Sequence, residues 1–146
     1  VNNVVKIDYK LEYPIVYINL TYLEKKRWFL AEDMEVVLSD GRTILIPKGF
    51  ETDLSSIPSW LWGLFKPFDK GLLGDLIHDY LWDKTQKPIE IAHFGSEYKA
   101  RKWSDEERLR WRKKLAKEFK IKNWITHKAV RIFGNGVYSG RRKLPK

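Results

Sequence analysis

The spacing of apolar residues changes period once along the chain. Before Pro47 they come in short β-branched and aromatic runs, N-V-V-K-I-D at 3–8 and P-I-V-Y-I-N-L-T-Y-L at 14–23, which predict strands. A polar turn over 24–27 leads to Trp28-Phe29-Leu30, the start of a further strand broken at Glu32-Asp33. Residues 35–38 and 43–46 then flank Ser39-Asp40-Gly41-Arg42. An Asp-Gly pair between two apolar runs predicts a hairpin, because both residues tolerate the positive φ such a turn needs. The expectation for this third of the chain is an antiparallel sheet of four or five strands.

Beyond Pro47 the period becomes helical. Ser56 is placed to cap a short helix over 58–65, with Pro58 tolerated in its first turn. Over 71–84, at about 100° per residue, Leu72, Leu73, Leu76, Ile77, Tyr80 and Leu81 fill one half of the wheel. Asp75, His78, Asp79 and Trp82 share the other half. Residues 85–100, with Pro88 and Gly95, read as a loop with a strand inside it. Ser104-Asp105-Glu106-Glu107 has capping-box spacing and predicts a helix from there to about residue 120. Its apolar arc holds Leu109, Trp111, Leu115, Ala116 and Phe119, which marks Trp111 as core; the remainder is almost entirely Arg and Lys. A last helix over 124–133 would end at Gly134-Asn135-Gly136. The expected fold is α+β: an N-terminal antiparallel sheet followed by three or four helices packed on it. It would form a single domain over 1–140, with a basic tail at 141–146.

Charge sharpens this division. Residues 99–146 carry 17 Lys and Arg against 4 Asp and Glu, whereas residues 1–98 carry 11 against 15. A face made of Arg108, Arg110, Arg112, Lys113, Lys114 and Lys117 would suit a polyanion, either nucleic acid or an acidic subunit. The competing expectation is a solvated basic helix with no partner. The absence of cysteine excludes disulfides, thiolate catalysis and Cys-ligated zinc. No apolar run approaches the ~20 residues of a membrane span. No charged-then-apolar leader opens the chain, so synthesis in the cytoplasm is the expectation.

Candidate chemistry gathers in K-G-F-E-T-D-L-S-S-I-P at 48–58 and in His78-Asp79. An imidazole beside a carboxylate, joined by Asp53 and Asp105, offers nitrogen and oxygen ligands for one divalent ion. Such an ion would lower the pKa of a bound water and supply a hydroxide nucleophile. A metal-free version has His78 as general base, oriented by an Asp and activating Ser55 or Ser56. The plainer account makes Asp53, Ser55 and Ser56 turn and cap residues, and Asp105 a residue favoured by the dipole of its own helix. Gly-rich phosphate loops, Gly-x-Ser-x-Gly and His-Glu-x-x-His are all missing from the sequence.

Five blocks in this order and spacing resemble a family of small phage and prophage proteins known as domain of unknown function 1353. They are W-F-L-A-E-D at 28–33, I-P-K-G-F-E-T-D-L-S-S-I-P at 46–58, H-D-Y-L-W at 78–82, R-K-W-S-D at 101–105 and A-V-R-I-F-G at 129–134. The resemblance runs from about Trp28 to Tyr138. It implies a phage-type origin and marks Thr52, Asp53, Ser56, Pro58, His78, Asp79 and Asp105 as the family's pattern. Family members typically have Ala where this chain has Ser55 and Ser104, which leaves Ser56 the better candidate serine. No reaction follows from the resemblance.

Three expectations result. The leading one is a small metal-assisted hydrolase using Asp53, Ser56, His78 and Asp79 as catalytic groups and Asp53, His78, Asp79 and Asp105 as ligands of one divalent ion. The second is a non-catalytic virion or assembly protein in which those residues form a buried polar lock and the basic half docks a subunit or DNA. The third is a nucleic-acid-binding accessory protein. Each would be made in the host cytoplasm, and the second could enter the virion. Solvent access separates the first from the second, since a lock is sealed and a catalytic site opens to its substrate.

Overall fold

The computed structural model describes residues 4–12, 18, 20–22, 28–52, 71–117 and 120–138, with side chains described to residue 134 in the last stretch. The chain divides into two compact units, residues 1–53 and 54–145. Strands occupy the first and helices the second, so the fold is α+β.

Six strands are described, in two three-stranded sheets. The first holds β1 (Val4–Asp8), β4 (Asp33–Val37) and β5 (Thr43–Ile46), with β4 in the middle. Met34, Val36, Ile44 and Ile46 are buried and alternate with more exposed residues, the two-residue period of a sheet with one covered face. The expected hairpin forms. Gly41 N–H donates to Leu38 O at 2.9 Å, Leu38 N–H donates to Arg42 O at 2.7 Å, and Gly41 takes φ +90°. Asp40 adds a local clasp, accepting from Arg42 N at 3.1 Å and Arg42 Nε at 2.8 Å.

The second sheet is antiparallel, with β3 (Trp28–Leu30) between β2 (Leu20–Tyr22) and β6 (Glu51–Thr52). A tight turn at Gly49, φ +87°, returns the chain from the first sheet to β6, and its N–H donates to Leu30 O at 2.7 Å. Two features depart from the single antiparallel sheet expected from sequence. The strands are shared between two sheets, and β1 runs parallel to β4, pairing Val4 with Asp33 through Asp8 with Val37. Alternation reports which face of a strand is buried and carries nothing about the direction of its neighbour.

In the helical unit, α3 (Glu97–Leu115) packs against α1 (Leu72–Leu81), α2 (Lys87–Phe94) and α4 (Lys120–Tyr138). α1 buries Leu73, Leu76, Ile77, Tyr80 and Leu81 as its apolar arc predicts. Its approach to α3 is close at Gly74, where an added Cβ would stand 3.0 Å from Arg108 O and 3.1 Å from Trp111 Cβ.

Three helix expectations are corrected. Residues 87–94 are a helix, not a loop with a strand. Pro88 sits in the first turn, where its missing N–H costs nothing, and Gly95 closes the helix in the left-handed conformation at φ +89°. α3 opens at Ser96, whose hydroxyl accepts from Lys99 N at 3.1 Å, so Ser104 is interior and caps nothing. α4 runs through Gly134 instead of stopping before it. Gly134 is buried against Trp82, so closely that an added Cβ would stand 2.5 Å from Trp82 Cη2. The expected helix at 58–65, its Ser56 cap and the tail at 141–146 lie outside the described residues.

A sealed ionic network as candidate functional site

The face that α3 turns to its neighbours carries Arg101, Ser104, Asp105, Arg108, Trp111, Arg112 and Leu115, and all seven are buried. These positions recur at steps of three and four, the spacing of a helix core. Their chemistry is mostly ionic, so the stripe reads as solvated surface when scored by hydrophobicity alone.

At one end of the stripe stands Asp105. Its Oδ1 lies 2.7 Å from His78 Nε2 of α1, and both side chains have 0% exposure. Against an ionised carboxylate, Nε2 carries the proton and donates. Asp105 Oδ2 accepts from Arg131 Nη1 of α4 at 2.9 Å and faces Arg101 Nη1 at 3.5 Å. Arg101 Nη1 also donates to Arg131 O at 3.2 Å, tying α3 to the α4 backbone. The Trp82 ring packs on the His78 ring with centroids 4.4 Å apart. Trp82 Nε1 donates to Ser104 Oγ at 2.7 Å, and Ser104 Oγ donates to Arg101 O at 2.7 Å.

One and two turns further along α3 a second carboxylate repeats the arrangement with the helices exchanged. Asp75 of α1 places Oδ1 2.6 Å from Arg108 Nε, an ion pair off the hydrogen-bond line. Its Oδ2 accepts from Arg112 Nη1 at 3.0 Å. Both guanidinium groups reach on to α4. Arg108 Nη1 donates to Thr126 Oγ1 at 3.2 Å, and Arg112 Nε donates to Asn123 Oδ1 at 2.8 Å. Asn123 Nδ2 in turn donates to Ala116 O at 3.0 Å, satisfying a carbonyl at the C-terminus of α3. Glu107 stands to one side, accepting from Trp111 Nε1 at 3.1 Å and Arg110 Nε at 2.7 Å.

Burial shifts two groups in this region, Arg108 and His127. It pushes the Arg108 guanidinium below its ordinary value; Asp75 opposes that and Arg112 adds to it. Burial likewise lowers His127, with Asp105 pulling upward and Arg108 pushing down. The His127 Nδ1 atom is buried with no hydrogen-bond partner.

The predicted site residues fare differently. His78 and Asp105 meet directly. Asp79 is half-buried, one position along α1 from His78. Asp53, Ser55 and Ser56 lie outside the described residues, and so does their expected approach to His78. Among the described residues, no three His, Asp or Glu side chains are arranged to hold a metal ion. Both oxygens of Asp105 are already engaged, Oδ1 by His78 and Oδ2 by the guanidinium groups of Arg131 and Arg101. The predicted polyanion face is corrected at Arg108 and Arg112, which are buried against Asp75. Lys113 and Lys117 are exposed, and Arg110 and Lys114 partly so. Asp75, Arg101, Asn123, Thr126 and Arg131 are not among the predicted site residues; of these, only Arg101 lies on α3, where steps of three and four to Asp105, Arg108 and Arg112 are a signal in the sequence.

Fold and site together define a small α+β protein whose helices are cross-linked by a sealed Asp–Arg–His network. The profile of a family described as protein of unknown function, DUF1353, matches residues 28–130, and the chain belongs to that family. No curated protein and no solved structure matches the chain.

Proposed function

We propose that this is a non-catalytic assembly or virion protein of phage type, whose basic surface docks an acidic subunit or DNA. The observation that carries the reading is the sealing of His78 and Asp105, both at 0% exposure. A hydrolase built on these two groups needs an imidazole or carboxylate with a lone pair open to substrate or metal. Here Asp105 is bound on Oδ1 by His78 and faced on Oδ2 by Arg131 and Arg101, so a cation entering would have to displace an imidazole or two guanidinium groups. Breaking a buried pair of this kind costs about 3–5 kcal/mol. The same contacts serve well as a lock that fixes how α1, α3 and α4 cross. In this reading the exposed Lys113 and Lys117 supply the docking charge, and the protein is made in the host cytoplasm and joins the particle there.

Titration of the purified protein with Zn²⁺ and Mn²⁺ by calorimetry tests this. The expected result is no one-to-one site that depends on Asp105, together with a cooperative loss of stability in Asp105→Asn. A stoichiometric ion site in the parent that Asp105→Asn abolishes while the fold survives would restore the metal-assisted hydrolase reading.

A further inference from the structure

α4 is inside out. The side it turns to α3 is small or polar, with Asn123, Thr126, Ala129, Val130 and Gly134 all buried. The opposite side carries its large apolar residues: Ile121 is 74% exposed, Trp124 60% and Ile132 68%. Ile121, Trp124, Lys128 and Ile132 follow one another at steps of three, four and four, so they form a single straight stripe down the helix. At about 1.5 Å per residue the stripe is roughly 17 Å long. An apolar ridge of this length pointing away from its own core marks a contact surface.

Charge identifies what it contacts. From residue 120 to 138 the helix holds no Asp or Glu; its cations are Lys120, Lys122 and Lys128, with Arg131 already turned to Asp105 of the buried network. Lys120 and Lys122 stand in the first turn, where the helix dipole disfavours a positive charge and favours a carboxylate. The helix dipole gives Lys120, which is exposed, no stabilisation there, whereas an anionic surface would. Lys128 lies in the stripe, with its ammonium 5.8 Å from the centre of the Trp124 ring. A Trp and a Lys side by side, ring at the apolar boundary and ammonium extended to phosphate, is the pairing a membrane–water interface selects. A second copy docking through the same face would set lysines against lysines with no carboxylate between them. The stripe is also a convex ridge on a single helix, suited to a deformable layer.

We infer that the outward face of α4 docks on an anionic lipid bilayer, lying in the plane of the interface with Ile121, Trp124 and Ile132 inserted below the headgroups. This surface is separate from the buried network and stands whether or not that network is catalytic.

Flotation of the full chain with large unilamellar vesicles tests the inference. The vesicles are either phosphatidylcholine alone or phosphatidylcholine with 30 mol% phosphatidylserine. The parent is expected to float with the anionic vesicles and to stay behind with the neutral ones. Ile121→Gln/Ile132→Gln keeps good helix formers at exposed positions, so its melting curve should match the parent's while flotation is lost. Lys120→Glu/Lys128→Glu should weaken binding about fivefold or more for each lysine replaced, although Glu at position 120 suits the dipole and cannot be blamed for unfolding. Three results overturn the inference: a parent that fails to float with anionic vesicles, a Gln variant that floats as well as the parent, or concentration-dependent self-association that the Gln variant abolishes. The last would make a second copy the occupant. Loss of duplex DNA binding in the Gln variant, with no vesicle binding by the parent, would assign the face to nucleic acid.

Discussion

Removing the negative charge of Asp75 tests whether the network holds the helical unit together. Asp75 sits between Arg108 at 2.6 Å and Arg112 at 3.0 Å, with side-chain exposures of 5%, 0% and 1% for the three residues. Asp75→Asn keeps the shape and removes the charge. It leaves two buried guanidinium groups facing each other with a neutral amide between them. Taking one partner from a buried pair costs about 3–5 kcal/mol, a large share of the 5–15 kcal/mol that holds a typical domain. With a urea slope of about 2 kcal/mol per M, the midpoint followed by far-ultraviolet circular dichroism should fall by about 2 M. Glu106→Gln is the control, since its pair with Arg110 spans 3.9 Å at 41% and 33% side-chain exposure. An exposed pair of that kind contributes at most about 1 kcal/mol. The combined variant Asp75→Leu/Arg108→Met/Arg112→Leu should recover much of the loss, because replacing a whole buried ionic cluster by apolar groups is often neutral. If Asp75→Asn shifts the midpoint no more than Glu106→Gln does, the arginines are solvated and the lock does not exist.

Two further outcomes follow from the same packing. Burial holds His127 below its ordinary value near 6.5, so between those two values the unfolded chain binds more protons than the folded one. Stability contributed by His127 is therefore complete above about pH 6.5 and falls as pH drops toward the lowered folded value; His127→Gln should flatten that part of the stability–pH curve in urea titrations. Gly134→Ala should lower the melting temperature although alanine favours a helix by about 1 kcal/mol, because its Cβ would meet the rigid, hydrogen-bonded Trp82 ring at 2.5 Å. A melting temperature raised by that substitution would mean that α4 does not pass this close to Trp82.

What was legible in the sequence is whatever local physics determines. The hairpin at Asp40-Gly41 needed only a glycine that accepts φ +90° between two alternating runs. The apolar arc of α1 needed only the 3.6-residue period, and the family blocks needed only order and spacing. Gly95-Ser96, the stop of α2 and the cap of α3, was equally local and was passed over in favour of the capping-box spacing at Ser104. Tertiary structure decided the rest. The parallel pairing of β1 with β4 joins segments some thirty residues apart, and alternation does not encode strand direction. The burial of Arg108 and Arg112 depended on Asp75 arriving from α1 and Asn123 and Thr126 from α4, because a guanidinium leaves water only where partners replace it. The same holds for His78, half of whose helix looked solvated until Asp105 of α3 met it at 2.7 Å. Hydrophobicity scored along the chain sees one side chain at a time, whereas the burial of an ion is a property of the pair.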